Sequence, residues 1–261
     1  MAPEVWPEYP RSTFEADGVA FDVLRHVLPG SAVVILLHEL RGLSEHTIVV
    51  ADRLVAAGFS VTMPVLLPPV ALRAGVRDVL RNARRVWGSE EFAVLARRAD
   101  RPVTRWVRRL AAHEAERSGR PVGIVGMSLT GSVALAAAVE PAVGAAVASG
   151  PSTPPSCLVW TRDLAMSNAT LDDLMDRAEA GFRIRAMRFS RDPLARRRRL
   201  RFIGEMLPNA QVVEVPGRPF RHSLLVAAAH AAEGSPLQGA LAGTIQYLRE
   251  QLDAPPEAGA A

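Results

Sequence analysis

The stretch PVGIVGMSLTGSVALAAA, Pro121–Ala138, constrains the fold more than any other. Its first part is a short continuous apolar run, as expected of a strand buried on both faces, and its second is rich in alanine, as expected of a buried helix. Ser128 then occupies the sharp turn between them. A hydroxyl at that place has two readings: the N-cap of the helix, a common use of serine before an apolar helix, or a nucleophile displayed beyond the end of a strand. The second favours G-x-S-x-G, and the chain departs from that pattern, with Thr130 followed by Gly131.

The rest of the chain repeats the alternation. Phe14 to Arg25, bounded by Gly18 and Pro29, suggests one or two edge strands, and Ala32 to Leu37 (AVVILL) a buried strand. Thr47 to Ala57 follows helical spacing up to Gly58, and Phe59 to Met63 supplies the next strand. Pro64 to Gly88 shows no clear strand and is read as a lid or substrate-facing insertion, at about residues 64–90. Glu91 to Arg117 looks helical, with a break near Pro102. Leu129–Val139 is a helix, Val143–Ala148 a strand, and Ser149–Ala169 a Pro- and Ser-rich loop. Thr170 or Ser167 can cap a helix running to about Ala180. Phe182–Phe189, Ala195–Leu207, Gln211–Val215 and Leu241–Leu252 complete the order as strand, helix, strand and helix. Such alternation predicts an α/β protein with a doubly wound, mostly parallel sheet covered by helices on both faces. One domain over residues 1–252 and a disordered tail over 253–261 are expected.

Composition narrows the chemistry. All 31 basic residues are arginine, so a Walker P-loop and a pyridoxal-phosphate Schiff base, both built on lysine, are excluded. The lone Cys157 excludes an internal disulfide and a C-x-x-C site. A pI of about 10.3 and the run ARRRRLR at Ala195–Arg201 invite a nucleic-acid reading. The formal charge is only +4, however, and the run fits a solvated helix face better; no nucleic-acid partner is expected. No apolar run approaches the roughly 20 residues of a membrane span. The N-terminus has acidic residues and prolines where a secretory signal has basic charge and an apolar core, so the expected location is cytoplasmic.

Ligands of doubly wound sheets bind beyond the carboxyl ends of the strands. Ser128, Asp192 and His222 each follow such an end, in the chain order of the α/β-hydrolase fold. A serine hydroxyl needs an imidazole to take its proton, and the imidazole needs a buried carboxylate to orient it and stabilise its charged form. Each residue alone also has a plainer reading: Asp192 before Pro193 as a turn or N-cap, and His222 as an exposed loop histidine, with His230 packed in an alanine-rich helix. LLHELRGLSEH, Leu36–His46, follows the early strand where this fold supplies half of an oxyanion hole, making the backbone N–H groups of Leu40 and Leu129 the candidate donors. His38, Glu39, Glu45 and His46 lack H-E-x-x-H spacing, and neither a metal nor another cofactor is expected.

HELRG, ADRLVAAGFSVTMP, GMSLTG, RFSRDPL and RHSLL together resemble the dienelactone hydrolase family over roughly residues 14–250. The resemblance implies an α/β-hydrolase fold, with Ser128 as nucleophile, Asp192 as orienting acid, His222 as base, and Glu39 as a glutamate that interacts with the nucleophile. The chain departs from the family in having serine where cysteine is usual, and in MPVLL, where an aspartate commonly follows the proline. Arg41, Arg73, Arg77 and Arg81 flank the expected cleft and are candidates for binding a substrate carboxylate; solvent-facing arginine is the alternative for each.

The expected function is hydrolysis of a lactone or small ester through an acyl-enzyme, with a small-molecule ester, lactone or biosynthetic intermediate as partner. The alternatives are a non-hydrolytic cyclase or other biosynthetic enzyme on the same fold, using Glu39 rather than Ser128, and a silent binding protein.

Overall fold

The computed structural model describes residues 6–71, 75–88, 101–152 and 164–253. The chain opens with a hairpin of β1 (Arg11–Ala16) and β2 (Val19–His26). Asp17 and Gly18 between them have φ of 51° and 75°, the positive pair that a two-residue turn needs to match strand twist. There follow β3 (Val33–Leu37), β4 (Leu43–Ser44), α1 (Glu45–Ala56), β5 (Ser60–Pro64), β6 (Val70–Ala71), α2 (Val76–Gly88) and α3 (Pro102–Ser118). The second half has β7 (Val122–Met127), α4 (Leu129–Ala137), β8 (Val143–Ser149), α5 (Asn168–Glu179), β9 (Ile184–Phe189), α6 (Arg197–Met206), β10 (Gln211–Val215), α7 (Leu224–Ala229) and α8 (Pro236–Leu252).

The eight-stranded sheet has the order β1-β2-β5-β3-β7-β8-β9-β10. Its pairs from β5 to β10 are parallel, and β1–β2 and β2–β5 are antiparallel. From β3 the chain steps outward to β5, then crosses back to place β7 on the other side. The switch point of the topology therefore lies between the carboxyl ends of β3 and β7, where a crevice opens in this class of sheet.

Both sheet faces are packed, which is why β3 reads VVILL with no polar residue. Val34 and Leu36 join Leu54 of α1 and Tyr247 and Leu248 of α8, whereas Val33, Ile35 and Leu37 join Trp106 and Leu110 of α3 and Val133 of α4. A third cluster packs Leu174 of α5 and Leu200 and Ile203 of α6 on Ala146, Ala148 and Ala186. The small residues of β8 and α4 let these layers approach closely.

Several expectations need correction. Of the one or two edge strands expected at residues 14–25, one lies at an edge: β1, with β2 interior between β1 and β5. Residues 64–88 hold β6 and α2, which proline and arginine obscured in the sequence. The helix expected from Glu91 begins at Pro102 in the described residues, with proline in its tolerated first-turn position. Positions 91–100 lie outside them, as does Cys157. Ser167, not Thr170, caps α5, its hydroxyl accepting the Thr170 N–H at 3.0 Å. α8 starts five residues earlier than expected, at Pro236 behind a Ser235 cap. Asp253 pairs with Arg120 at 2.9 Å instead of belonging to a tail, and positions 254–261 lie outside the described residues. His230 is the exposed C-cap of α7 rather than a packed helix residue. In ARRRRLR, Arg197, Arg198 and Arg201 are exposed, but helical rotation turns Arg199 inward with Leu200 and Ile203. No helix among the described residues is long and apolar enough to cross a membrane.

Candidate active site

Ser128 sits between β7 and α4 with φ 60° and ψ −121°. A non-glycine residue in such a conformation costs about 1–3 kcal/mol, and its surroundings must hold it there. They do so through the backbone: Ser128 N–H donates to Ser149 O at 2.8 Å, while Ser128 O accepts from Gly131 N at 3.0 Å and Ser152 N at 3.1 Å. The two glycines around the serine allow close approach. A Cβ on Gly126 would lie 2.2 Å from Thr130 O, and one on Gly131 would lie 3.1 Å from Pro151 Cα. Gly126 thus lets α4 rest on β7, and Gly131 lets the Gly150–Ser152 segment pass over α4.

Thr130, at the position where the pattern favours glycine, has a structural use. Its Oγ1 accepts from Met127 N at 3.0 Å and lies 2.9 Å from Met127 O and 3.1 Å from the carbonyl oxygens of both Leu37 and His38, to one of which three it can donate. The side chain ties the serine turn to the end of β3. The hydroxyl of Ser128 is free of cap duty, since no side-chain cap bond joins it to α4.

The structure brings the three candidates into one line. His222 Nε2 lies 2.7 Å from Ser128 Oγ, and His222 Nδ1 lies 2.6 Å from Asp192 Oδ2. An ionised Asp192 can only accept, so Nδ1–H donates to it and Nε2 accepts from the serine hydroxyl. The other carboxylate oxygen, Oδ1, accepts the amides of Leu194 and Ala195 at 2.8 and 3.2 Å. The turn bonds and the imidazole bond of Asp192 therefore coexist, one set on each oxygen. Burial raises its pKa, but the His222 bond and charge and the two amides outweigh burial and hold the carboxyl below its ordinary range.

The remaining candidates take varied positions. Leu129 is the first residue of α4, and Leu40 lies in the loop after β3, so the two amides flank the switch point. Asn82 of α2 donates to Leu40 O at 2.9 Å and fixes that loop from outside. Glu39 is buried, and its Oε2 accepts from Ser223 Oγ at 2.7 Å, linking the loop after β3 to the residue after His222. Arg41 is half-buried in the Leu40 loop. Arg77 is exposed on α2, as is Arg81, which pairs with Asp78 of its own helix; Arg73 lies outside the described residues. No group of three His, Cys, Asp or Glu among the described residues could hold a metal ion.

His38 proves to be an anchor. It is fully buried, with Nδ1 donating to Glu39 O at 2.8 Å and Nε2 accepting from Leu67 N at 3.1 Å. That pattern requires the neutral ring, and burial pushes its pKa down to about 4. Below about pH 6.5 the unfolded histidine takes up a proton that folded His38 refuses, so stability is lost as pH falls from 6.5 towards 4. The slope is at most about 1.4 kcal/mol per pH unit. His38→Gln should flatten the dependence of the unfolding temperature on pH between 6.5 and 4.5; an unchanged slope would assign the acid sensitivity elsewhere.

Ser152, Ser223, Asn82 and Arg199 were not singled out from sequence. Ser152 and Ser223 are small polar residues next to site elements, but only folding sets their partners. No curated protein matches the chain. Among solved structures, a Klebsiella pneumoniae subsp. pneumoniae MGH 78578 protein assigned as a dienelactone hydrolase is 14% identical, with TM-score 0.67 over 92% of this chain and 98% of its own. A dienelactone hydrolase from Anabaena variabilis ATCC 29413 is 16% identical, with TM-score 0.61 over 94% and 99%. The thioesterase domain from the curacin biosynthetic pathway is 13% identical, with TM-score 0.58 over 91% and 99%. These likenesses fix the α/β-hydrolase fold. The dienelactone hydrolase family model matches residues 24–171, more than half of the sequence, and the chain therefore belongs to the dienelactone hydrolase family.

Proposed function

We propose that the protein is a serine hydrolase that opens a lactone or small ester through an acyl-enzyme. The observation that carries this reading is the line from Ser128 through His222 to Asp192, at 2.7 and 2.6 Å, with the serine held in its strained turn.

Ser128 Oγ attacks the carbonyl carbon as its proton passes to His222 Nε2. Asp192 keeps Nδ1 protonated and stabilises the imidazolium that forms. The carbonyl oxygen becomes an oxyanion facing the amides of Leu40 and Leu129; a donor so placed contributes about 3–4 kcal/mol to the transition state. As the tetrahedral intermediate collapses, His222 protonates the leaving alkoxide. From an ester the alcohol departs; from a lactone it stays tethered to the acyl group. Water then attacks the acyl carbon as its proton passes to His222 Nε2, and when the second intermediate collapses the bond to Ser128 Oγ breaks, His222 returns the proton to Oγ, and the carboxylic acid is released. Protein groups and water suffice for every step. Residues 64–71 and 75–88, with α2 beside the Leu40 loop, are the part we assign to covering the substrate.

A second outcome open to the same acyl-enzyme is capture by a nucleophile within the acyl chain, which gives a cyclic product where water is kept from the pocket. Both outcomes share the first step. A fluorophosphonate should therefore add once to the folded protein, with intact mass giving the stoichiometry and peptide mapping placing the adduct on Ser128. No adduct, or one on another residue, would overturn the mechanism.

A further inference from the structure

Resting on that reading, we infer that Ser152 is a second hydrogen-bond partner of the nucleophile beside His222, donating to Ser128 Oγ and tuning acylation. Ser152 Oγ lies 3.3 Å from Ser128 Oγ, and Ser152 is 8% exposed, the same as Ser128.

The direction of the bond follows from the proton inventory. Nδ1 of His222 gives its hydrogen to Asp192, so Nε2 must accept, and the single hydrogen of Ser128 goes there. Ser128 Oγ can then only accept from Ser152. One lone pair of the nucleophile is thereby engaged and the other is left for the carbonyl carbon. With both the hydrogen and one lone pair assigned, the rotamer of Ser128 is fixed before substrate arrives, which is where preorganisation lowers a barrier.

The segment carrying Ser152 is secured on several sides. Gly150 N–H donates to Met187 O at 2.7 Å, Ser152 N–H to Ser128 O at 3.1 Å, and the buried Arg199 Nη1 to Pro151 O at 3.1 Å. Gly131 leaves room beneath Pro151. The inward-turned arginine of the basic run and the displaced glycine of the serine motif thus serve one end, holding residues 150–152 over the nucleophile.

Ser152 keeps its own proton throughout. As the Ser128 proton moves to His222, electron density gathers on Oγ before the bond to carbon is complete, and the Ser152 O–H stabilises it there. Once the acyl bond has formed, the ester oxygen is a poor acceptor, and the hydroxyl is released towards the incoming water.

The test is the rate of fluorophosphonate modification, resolved into its maximal rate and half-saturating concentration, in the unaltered protein, Ser152→Ala and Ser152→Thr. Alanine removes the hydroxyl and leaves the Ser152 N–H bond in place. Its maximal rate should fall about tenfold, as expected for one lost hydrogen bond, with half-saturation unmoved and the unfolding temperature lowered by no more than a few degrees. Threonine, which restores the hydroxyl, should recover the rate. An alanine variant as fast as the unaltered protein would overturn the role of Ser152 and leave the Ser128–His222–Asp192 mechanism standing. A slow alanine variant that threonine fails to rescue would likewise overturn the hydrogen-bond account. No modification of Ser128 in the unaltered protein would overturn the mechanism itself, and this inference with it.

Discussion

Ser128→Ala should lower turnover of a small activated ester by about 10⁶-fold, and Asp192→Asn by about 10⁴-fold, the losses seen when a nucleophile and an orienting carboxylate of such a unit are removed. The two variants fail for different reasons. Alanine removes the attacking oxygen, so no acyl-enzyme forms and no fluorophosphonate adduct appears at any concentration. Asparagine leaves the nucleophile in place but cannot carry the charge opposite an imidazolium. Its amide N–H can also face Nδ1, which favours the tautomer with hydrogen on Nε2, and that tautomer cannot accept the serine proton. The Asp192 variant should therefore still be labelled, slowly, and its double variant with Ser128→Ala should be no worse than Ser128→Ala alone. Steady-state rates and adduct mass check both points. Turnover retained by Ser128→Ala would transfer the chemistry to another group, with Glu39 the first to examine.

Legibility from sequence varied with the physics behind each feature. β3 and β7 were plain because strands buried on both faces need continuous apolar residues, and few other structures use five to seven of them. Ser128, Asp192 and His222 were legible for a topological reason: each follows the carboxyl end of a parallel strand, so an ordered alternation predicts convergence without knowing any distance. Glu39 and His38 were visible as a motif but not in their use. Adjacent residues after β3 diverge, one accepting from Ser223 and the other locked between two backbone groups. Ser152 was hidden altogether, since its contact with Ser128 spans 24 positions and depends on a proline resting above a glycine. Arg199 was hidden by its neighbours: four consecutive arginines look alike in sequence, and only the rotation of α6 separates the one that points inward. α2 was missed because its arginines obscure a pattern in which, among the described side chains, Asn82 and Val86 are buried.

The second large effect concerns stability rather than the site. Among the arginines of RWVRRL, Arg105–Leu110 in α3, Trp106 is fully buried and joins the hairpin to its helix. Its ring meets Phe14 at 5.4 Å and Phe21 at 4.9 Å, both edge-on, and its Nε1–H donates to Val19 O at 3.0 Å. Phe14 belongs to β1, and Phe21 and Val19 to β2, so one side chain holds both strands of a hairpin that pairs with the parallel sheet only through β5. A two-stranded hairpin has little stability of its own. Trp106→Ala should cost about 3–5 kcal/mol through lost burial and the cavity left behind, and lower the unfolding temperature by roughly 10 °C in a chain of this size. Trp106→Phe keeps an aromatic edge and loses the hydrogen bond, so it should cost less than half as much. Far-ultraviolet circular dichroism on heating reads both, and hydrogen exchange locates the damage: amides of β1 and β2 should lose protection before those of β3 and β7. A loss under about 1 kcal/mol for Trp106→Ala, or uniform loss of protection across the sheet, would show that the hairpin is held by something other than this ring.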